Sequence, residues 1–480
     1  MLALLGLTLS RAFRAVVPDP FVIAVVLTVA TAAAALAVGD FPAMADPDRP
    51  ATLANKAVFL LDAWRGPDGI WKFLAFSMQM CLVLITGHAL AESPAIRGVL
   101  TRAASIPNST ATAAGLVAVV ATLTGIVNWG LALIVGAIMA REVGRSLARR
   151  GIPAHYPLIV ASGYTGLMVW HGGLSGSAPL SMTTAVGAAR VLPAQVVAGM
   201  DGSGVPLTQT ILSPLNLVVT GGLLVIIPAV MALSAPRKAE DIRPIQPPRA
   251  GVAGEADATP LLDDPIDPGL AATPAERLER SPLVAWLVAA LIFAALWRFA
   301  GTGSVFSAGL DEINAAMFAV GLAVHRSVRS YLSAAEAGIR GCTGIVLQFP
   351  LYAGIMAMAV SSGLVSMLAR AMADAMGGRS IPVMTYWSAG LVNLFIPSGG
   401  GQWGVQGPIA LETAARADIP VGVMVMAVAY GDQTTNMLQP FWALPLLAIT
   451  GARARDIVAY TCLPMVFGIA WISLVLGVMT

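Results

Sequence analysis

Charge is scarce in this sequence. Only 11% of the 480 residues are Asp, Glu, Lys or Arg, while 57% are apolar; soluble proteins carry roughly 25% charged residues. No water-soluble fold of this length could bury so much apolar surface, so we expect the chain to be surrounded by a lipid bilayer. The net charge of +2 gives no basic field that would favour a nucleic acid partner. The composition therefore predicts an all-α polytopic membrane protein.

Cysteines, signal-peptide features and catalytic motifs are also scarce. The three cysteines lie in separate apolar runs without metal-ligand spacing, which argues against disulfides and a metal site. The sequence contains no His-Glu-x-x-His, no paired intramembrane aspartates and no nucleophile motif with partners for a triad. The N-terminus lacks the charge order of a signal peptide and is interpreted as an amphipathic segment on the cytoplasmic face. We therefore predict neither an enzyme nor an organic cofactor.

Long apolar runs are what the sequence does contain. A bilayer core of about 30 Å needs about 20 apolar residues in a helix. Such runs, two of them interrupted, predict about nine membrane spans, at Phe21–Val38, Leu74–Leu90, Leu158–Val169, Leu207–Leu233, Leu283–Ala300, Ile313–Val324, Gly344–Val360, Val421–Ile449 and Ile457–Met479.

Two uncharged stretches are too long for one crossing. One occupies the 38 residues between Arg102 and Arg141, and the other the 32 residues between Arg379 and Glu412. As single helices they would be about 57 Å and about 48 Å long, well beyond the bilayer core. Each has helix-breaking residues in its middle. We therefore predict two re-entrant helical hairpins, at about 103–140 and about 380–412, whose tips are buried or line an aqueous cavity.

Short internal matches indicate a duplication. Thr124–Asn128 resembles Ala389–Asn393 at an offset of 265 residues, and Gln79 matches Gln348 at a similar offset. Paired interrupted segments in two halves of a membrane protein point to a transporter's binding site. The sequence therefore predicts a carrier built from two repeats.

The basic residues predict the topology. Arg11 and Arg14 favour a cytoplasmic N-terminus under the positive-inside rule. The polar stretch 234–281 then becomes a flexible cytoplasmic linker, and a single span at 282–300 inverts the second half. We predict a first repeat at 1–233, with its broken helix at about 158–180. The inverted second repeat occupies 301–480, with its broken helix at about 421–449.

The hairpin tips are the predicted substrate site. Helix N-termini present unpaired N–H groups and partial positive charge, which suit a carboxylate. Neither hairpin core carries Arg or Lys, so one carboxylate with a short apolar tail fits better than a dicarboxylate or a phosphate. The predicted substrate-binding residues are Asn128, Trp129, Gly130, Ser175, Ser177, Asn393, Ser398, Gly399, Gly400, Gly401, Gln402 and Trp403.

Asp432 is the most informative charge. It is the only charged residue among the 33 from Ile419 to Gly451, and an intramembrane carboxylate is a functional-site hypothesis by default. Removed from water, its carboxyl group can carry a proton. Gln433, Asn436 and His171 lie in the two broken segments and complete the predicted ion-coupling group, although His171 could equally be a helix cap.

The second hairpin contains the run Asn393-Leu-Phe-Ile-Pro-Ser-Gly-Gly-Gly-Gln-Trp-Gly-Val-Gln-Gly-Pro408. This run resembles the signature of the bacterial short-chain fatty acid transporter family. So do Pro18-Asp19-Pro20, Asn128-Trp129-Gly130 and Gln439–Pro445. The resemblance covers nearly the whole chain outside 234–281. It implies the ion-transporter superfamily, an elevator mechanism, a homodimer and a place in the inner membrane.

The prediction is therefore uptake of a short-chain monocarboxylate such as acetate, butyrate or acetoacetate by ion symport. Asp432 favours H⁺ as the coupling ion, while the asparagines at the two tips leave Na⁺ open. A dicarboxylate or amino-acid carrier of the same fold remains the alternative.

Overall fold

The computed structural model describes residues 2–16, 18–44, 52–184, 188, 204–245, 273–302, 310–374 and 381–480. In this part of the chain the structure is helical throughout and contains no strand. The α-helices are α1 Leu2–Val16, α2 Pro20–Val38, α3 Leu53–Arg65, α4 Leu74–Glu92, α5 Pro94–Ala104, α6 Thr110–Val127, α7 Trp129–Arg149, α8 Tyr156–Tyr164, α9 Ser177–Ser181, α10 Pro214–Leu233, α11 Pro274–Glu279, α12 Pro282–Thr302, α13 Leu310–His325, α14 Val328–Ile339, α15 Thr343–Ser361, α16 Leu364–Asp374, α17 Ile381–Asn393, α18 Gly399–Ala417, α19 Val421–Thr435, α20 Pro440–Thr450 and α21 Ala454–Met479.

Seven of the described helices are long and apolar enough to cross a membrane: α2, α4, α6, α10, α12, α15 and α21. Six of them coincide with predicted spans. The seventh, α6, is the first arm of the first predicted hairpin. The other three predicted spans correspond to the two broken helices and to α13, which has only 16 residues. The chain is thus a multi-pass membrane protein.

Both predicted hairpin regions consist of two helices with a break between them. In the first, α6 ends and α7 begins at Asn128, and the two helices pack against each other. In the second, residues 394–398 separate α17 from α18, and α17 packs mainly on α19. The second arms, α7 and α18, extend beyond the predicted limits to Arg149 and Ala417. The limits predicted from the sequence stop at the first charged residue, whereas both helices continue through their charged last turns.

The two predicted broken helices are interrupted. After α8 the chain makes 3₁₀ turns at Thr165–Met168 and Trp170–Gly172 before α9. After α19 it makes a 3₁₀ turn at Asn436–Leu438 before α20. Close backbone packing requires glycine at two positions here. A Cβ on Gly136 of α7 would lie 2.1 Å from the carbonyl oxygen of Gly163 on α8. A Cβ on Gly431 of α19 would lie 2.3 Å from the carbonyl oxygen of Tyr386 on α17.

Two sequence-based boundaries were wrong. The span expected from Leu207 begins at Pro214, because Leu207–Gln209 forms a 3₁₀ turn and Ser213 caps the helix. The start of the segment expected to be a flexible linker is packed on the protein: Ser234 is buried and Asp241 pairs with Arg11 at 2.8 Å. The linker's end contains the capped helix α11, while 246–272 lies outside the described residues.

One end of the molecule gathers basic residues. Arg14 pairs with Asp456 at the start of α21 at 2.6 Å, and Arg150 bonds Asn108 ahead of α6 at 3.2 Å. The hydroxyl of Tyr156 donates to the carbonyl of Thr450 at 2.8 Å, which joins the start of α8 to the end of α20. The N-terminal helix, segment 235–245 and the start of α21 therefore share one face.

Candidate functional site

A cavity of about 250 Å³ lies between the two hairpin regions and the two broken helices. We name it the tryptophan cavity, after three of its wall residues. It is lined by Phe73, Phe76, Trp129, Leu167, Trp170, Ser177, Pro397, Ser398, Gly399, Gly400, Asn436, Phe441 and Trp442. Trp129 comes from the first tip and Pro397–Gly400 from the second, so the structure brings parts of both predicted tips to one space.

Aromatic rings form most of the wall. The ring centroid of Trp129 lies 5.2 Å from that of Trp442 and 6.3 Å from that of Trp170, and Phe76 lies 5.9 Å from Trp442. Both contacts of Trp442 are edge-on, an arrangement that aromatic pairs prefer, and the Trp129–Trp170 pair is tilted. The result is a rigid apolar pocket suited to a short hydrocarbon chain.

The second tip supplies free backbone donors. Ser398 caps α18, since its Oγ accepts from the N–H of Gly401 at 3.3 Å and its carbonyl accepts from Gln402 at 2.7 Å. The N–H groups of Gly399 and Gly400 have no partner among the described residues. A Cβ on Gly400 would meet open space. This helix start therefore offers two unpaired donors and partial positive charge beside the cavity.

The first tip differs from the prediction, because its helix N-terminus is already satisfied. The side-chain oxygen of Asn128 accepts from Gly130 at 2.8 Å and from Leu131 at 3.2 Å. Ser175 Oγ accepts from the N–H of Trp129 at 3.0 Å. No free donor remains there among these residues, since protein oxygens occupy the positions that a carboxylate would need. Only the indole of Trp129 reaches the cavity from this tip.

Several predicted substrate residues do not line the tryptophan cavity. Asn393 is buried, and its amide nitrogen donates to the carbonyl of Asp432 at 2.8 Å. Gln402 donates to Ala389 at 2.8 Å, which ties α18 to α17. Trp403 packs among buried apolar residues of α18 and α19. The other predicted residues outside the lining are Asn128, Gly130, Ser175 and Gly401.

The predicted ion-coupling residues meet one another. His171 Nδ1 lies 3.5 Å from Asp432 Oδ1, and both side chains are 2% exposed or less. This contact is not a hydrogen bond, and Nδ1 of His171 has no hydrogen-bond partner among the described residues; the other carboxylate oxygen, Oδ2, has none either. Gln433 Oε1 accepts from the N–H groups of His171 and Gly172 at 3.1 and 3.3 Å. These contacts join the two broken helices.

The hydrogen bonding of His171 indicates where its proton lies. The N–H of Ala178 donates to Nε2 at 3.1 Å, so Nε2 must carry a lone pair. A neutral ring therefore has its proton on Nδ1, which faces Asp432. Protonating both nitrogens would place two donors against each other at Nε2.

Sequence reasoning missed most of the aromatic wall. Phe76, Trp170, Phe441 and Trp442 lie in segments or motifs that the sequence singled out, but their side chains carry no distinctive chemistry. Apolar residues in a membrane protein are expected everywhere, so only the folded structure separates cavity walls from packing.

Comparison with known proteins agrees with the resemblance seen in the sequence. The profile of the family described as "Short chain fatty acid transporter" matches residues 1–479. An Escherichia coli K12 protein named "Putative short-chain fatty acid transporter" is 36% identical over 94% of this chain and 93% of its own length. A Haemophilus influenzae protein of the same name is 33% identical over 94% of each chain.

Two solved structures also match over most of their length. The Alcanivorax borkumensis YdaH transporter has a TM-score of 0.41 at 16% identity, covering 96% of this chain and 97% of that one. Neisseria gonorrhoeae MtrF has a TM-score of 0.35 at 17% identity, covering 97% of both. The family profile and the two relatives above 30% identity identify the chain: it belongs to the short-chain fatty acid transporter family and is a transporter, not an enzyme.

Proposed function

We propose that the chain takes up short-chain monocarboxylates, such as acetate, butyrate or acetoacetate, by proton symport. The observation that carries this proposal is the tryptophan cavity, which combines an aromatic wall with a glycine-rich helix start. The apolar tail would lie among Trp129, Trp170 and Trp442. The carboxylate would accept from the free N–H groups of Gly399 and Gly400.

The charge of the cavity supports a single carboxylate. No Lys or Arg is among its lining residues. A second carboxylate or an α-ammonium group would need a buried partner of opposite charge, and the aromatic wall provides none. Ser177 and Asn436 add neutral polar groups. The arrangement thus favours monocarboxylates over the dicarboxylate or amino-acid alternative.

Asp432 provides a physical reason for coupling to protons. It lies on α19 four residues before Asn436, which lines the cavity. Two carboxylates close together in a site with little water repel each other strongly, and protonating one of them removes the repulsion. Substrate binding would therefore favour the protonated form of Asp432. His171, held as the Nδ1–H form, would orient the carboxyl group.

Sodium coupling is the second candidate, and it too has an observation in its favour. In the described helices α17, α18 and α19, three buried side-chain oxygens lack a hydrogen-bond partner: Asn393 Oδ1, Gln402 Oε1 and Asp432 Oδ2. Carboxylate and amide oxygens are ligands for hard cations. Proton and sodium gradients must therefore be tested separately.

The architecture that we propose has two inverted repeats, at 1–233 and 301–480, linked through 234–281 and the span at 282–300. The hairpins at about 103–140 and 380–412 would be re-entrant, and nine spans in all would give the elevator architecture of the ion-transporter superfamily. The paired interruptions after α8 and after α19 support this symmetry. The arginine-bearing end of the molecule supports a cytoplasmic N-terminus in the inner membrane.

A homodimer completes the proposal. Most of helix α12 is exposed, and it presents large apolar side chains, including Trp297, which is 81% exposed. Lipid or a second copy could cover this face. Cross-linking of the protein in native membranes would test the dimer, and a monomer at all cross-linker concentrations would contradict it.

Uptake of radiolabelled butyrate into proteoliposomes tests the function. An imposed inward proton gradient should raise accumulation above that of gradient-free vesicles, while a sodium gradient at equal pH should not. Succinate and alanine should compete poorly, whereas acetate and acetoacetate should compete well. If neither gradient raises uptake, the proposed coupling to an ion gradient is wrong. If butyrate neither enters the vesicles nor exchanges, the proposed substrate class is wrong.

A further inference from the structure

A second cavity, of about 480 Å³, opens at the end of the molecule that carries the paired Arg14 and Asp456. We name it the arginine cavity. Its lining residues belong to the start of α2, to α15 and the 3₁₀ turn before it, to α20 and to the start of α21, and none of them lines the tryptophan cavity. They are Pro18, Asp19, Pro20, Gly341, Gly344, Gln348, Leu444, Leu447, Ala448, Ala452, Arg453, Ala454 and Arg455.

Two guanidinium groups give this cavity its charge. Neither Arg453 nor Arg455 makes an ion pair or a side-chain hydrogen bond with a residue that the structure describes, whereas neighbouring Asp456 is already paired with Arg14. The opposing carboxylate is Asp19, whose Oδ1 accepts from the N–H of Phe21 at 2.9 Å and lies beyond ion-pair distance of both arginines. The lining thus keeps an excess positive charge.

A buried amide in the wall adds a hydrogen-bond donor to the two guanidinium groups. Gln348 is 5% exposed, and its Oε1 has no hydrogen-bond partner in the described part of the chain. Its Nε2 would lie 3.5 Å from a Cβ built on Gly344, another wall residue, so the amide is at the cavity surface. The donor Nε2 has no partner among the described residues and is available to an anion in the cavity, whereas the acceptor Oε1 would need a donor such as water.

The remaining wall is apolar, and it leads toward the tryptophan cavity. Leu444, Leu447 and Ala448 lie on α20, and the same helix carries Phe441 and Trp442 in the tryptophan wall. Ala448 lies six positions after Trp442, or about 9 Å along the helix at the helical rise. The two cavities therefore lie along one helix.

We propose that the arginine cavity is a second binding station for the transported monocarboxylate, between the tryptophan cavity and the water at the arginine-bearing end. The proposal rests on the proposed function, since it takes the same substrate. Arg453 and Arg455 bind the carboxylate, Gln348 donates to it, and the leucines of α20 cover the short tail. This station differs from the tryptophan cavity because fixed cations, not helix dipoles, hold the anion.

Equilibrium binding of radiolabelled butyrate to the purified full-length protein in phosphatidylcholine vesicles tests this proposal. Wild type should show two classes of site. The double variant Arg453→Gln/Arg455→Gln should weaken one class about tenfold or more, since it removes charge-assisted hydrogen bonds, and keep the other. Arg149→Gln removes an exposed arginine from α7 and serves as the matched control, with both classes retained.

Gln348→Leu provides a second variant that keeps all charges, and it should weaken the same class. A single class of site in wild type, or two classes that both variants leave unchanged, would overturn the station and leave the proposed function intact. Absence of any butyrate binding would contradict both the second binding station and the proposed function. Addition of phosphatidylglycerol should leave the binding unchanged; if it displaces butyrate from the arginine-dependent class, a lipid phosphate occupies the cavity and the proposal is wrong.

Discussion

Gly400 shows how much one missing side chain can decide. It stands at the start of α18, lines the tryptophan cavity, and has open space where a Cβ would be. Gly399, beside it, has none: its Cβ would lie 2.7 Å from Trp170 and 2.9 Å from His171. The two neighbours therefore have different reasons to be glycine, cavity space in one case and close packing in the other.

We predict that Gly400→Ala shifts selectivity toward shorter acids. The added methyl group would extend into the cavity while the N–H stays in place, so butyrate should lose affinity relative to acetate by several-fold, about 1 kcal/mol per lost methylene contact. Competition against labelled acetate measures the shift. Gly404→Ala, whose Cβ also meets nothing but which does not line the cavity, is the control; an equal effect in both variants would remove Gly400 from the site.

The second prediction at the residue scale concerns the carboxyl group of Asp432. Asp432→Asn keeps the size of the side chain but cannot release a proton, so gradient-driven accumulation of butyrate should be lost while exchange across the membrane persists. Accumulation and exchange in the same proteoliposomes measure the two separately. Asp418→Asn is the matched control, since Asp418 is exposed and has φ 54°, which asparagine tolerates. Accumulation by Asp432→Asn at the wild-type level would refute its role.

At the scale of elements, segment 235–245 is held by a buried histidine. The carbonyl of Asp241 and the N–H of Arg243 lie 3.0 and 3.2 Å from His155 Nδ1, and Tyr460 Oη lies 2.9 Å from Nε2. A neutral ring with its proton on Nδ1 donates to Asp241 and accepts from Tyr460, whereas the other tautomer accepts from Arg243 and donates to Tyr460; each neutral tautomer therefore satisfies two of the three partners. Burial lowers the pKa of His155 from its ordinary 6.5 to about 4. The ring therefore stays neutral near neutral pH.

We predict that acid weakens the docking of this segment. Because the pKa of His155 is lower in the folded state, the unfolded chain binds more protons, so stability is complete above about pH 6.5 and falls as pH drops toward 4. The shift corresponds to about 3 kcal/mol. Thermal unfolding in detergent between pH 7 and 4 should show this decline, and His155→Gln should flatten it. An unchanged slope in the variant would show that other groups cause the decline.

At the scale of the molecule, the two halves of the chain hold each other directly. Asn216 Oδ1 of α10 accepts from the hydroxyl of Tyr430 at 3.1 Å, and the indole N–H of Trp471 donates to the carbonyl of Val219 at 3.0 Å. Together with the His171–Asp432 pair, these contacts connect residues more than 200 positions apart. The functional site itself is built from both halves.

We therefore predict that a cut between residues 246 and 272 leaves the protein assembled. A protease site inserted there, cleaved after purification, should give two bands on a denaturing gel and one unchanged peak in size-exclusion chromatography. Butyrate uptake should stay near that of the uncut protein. Separation of the fragments would show that the covalent link, not packing, holds the halves together.

Much of this protein follows from its sequence. Scarce charge and long apolar runs determined a helical membrane protein, because lipid leaves backbone polar groups no partner except within helices. The isolated Asp432 and the interrupted glycine-rich segments identified the region of the site, since both are costly in a membrane. What only tertiary structure decided is which donors stay free. Asn128 and Ser175 satisfy the first tip while the second remains open, and aromatic residues from distant segments converge on one cavity. Such outcomes depend on contacts between residues far apart in the chain, and local sequence does not encode their distances.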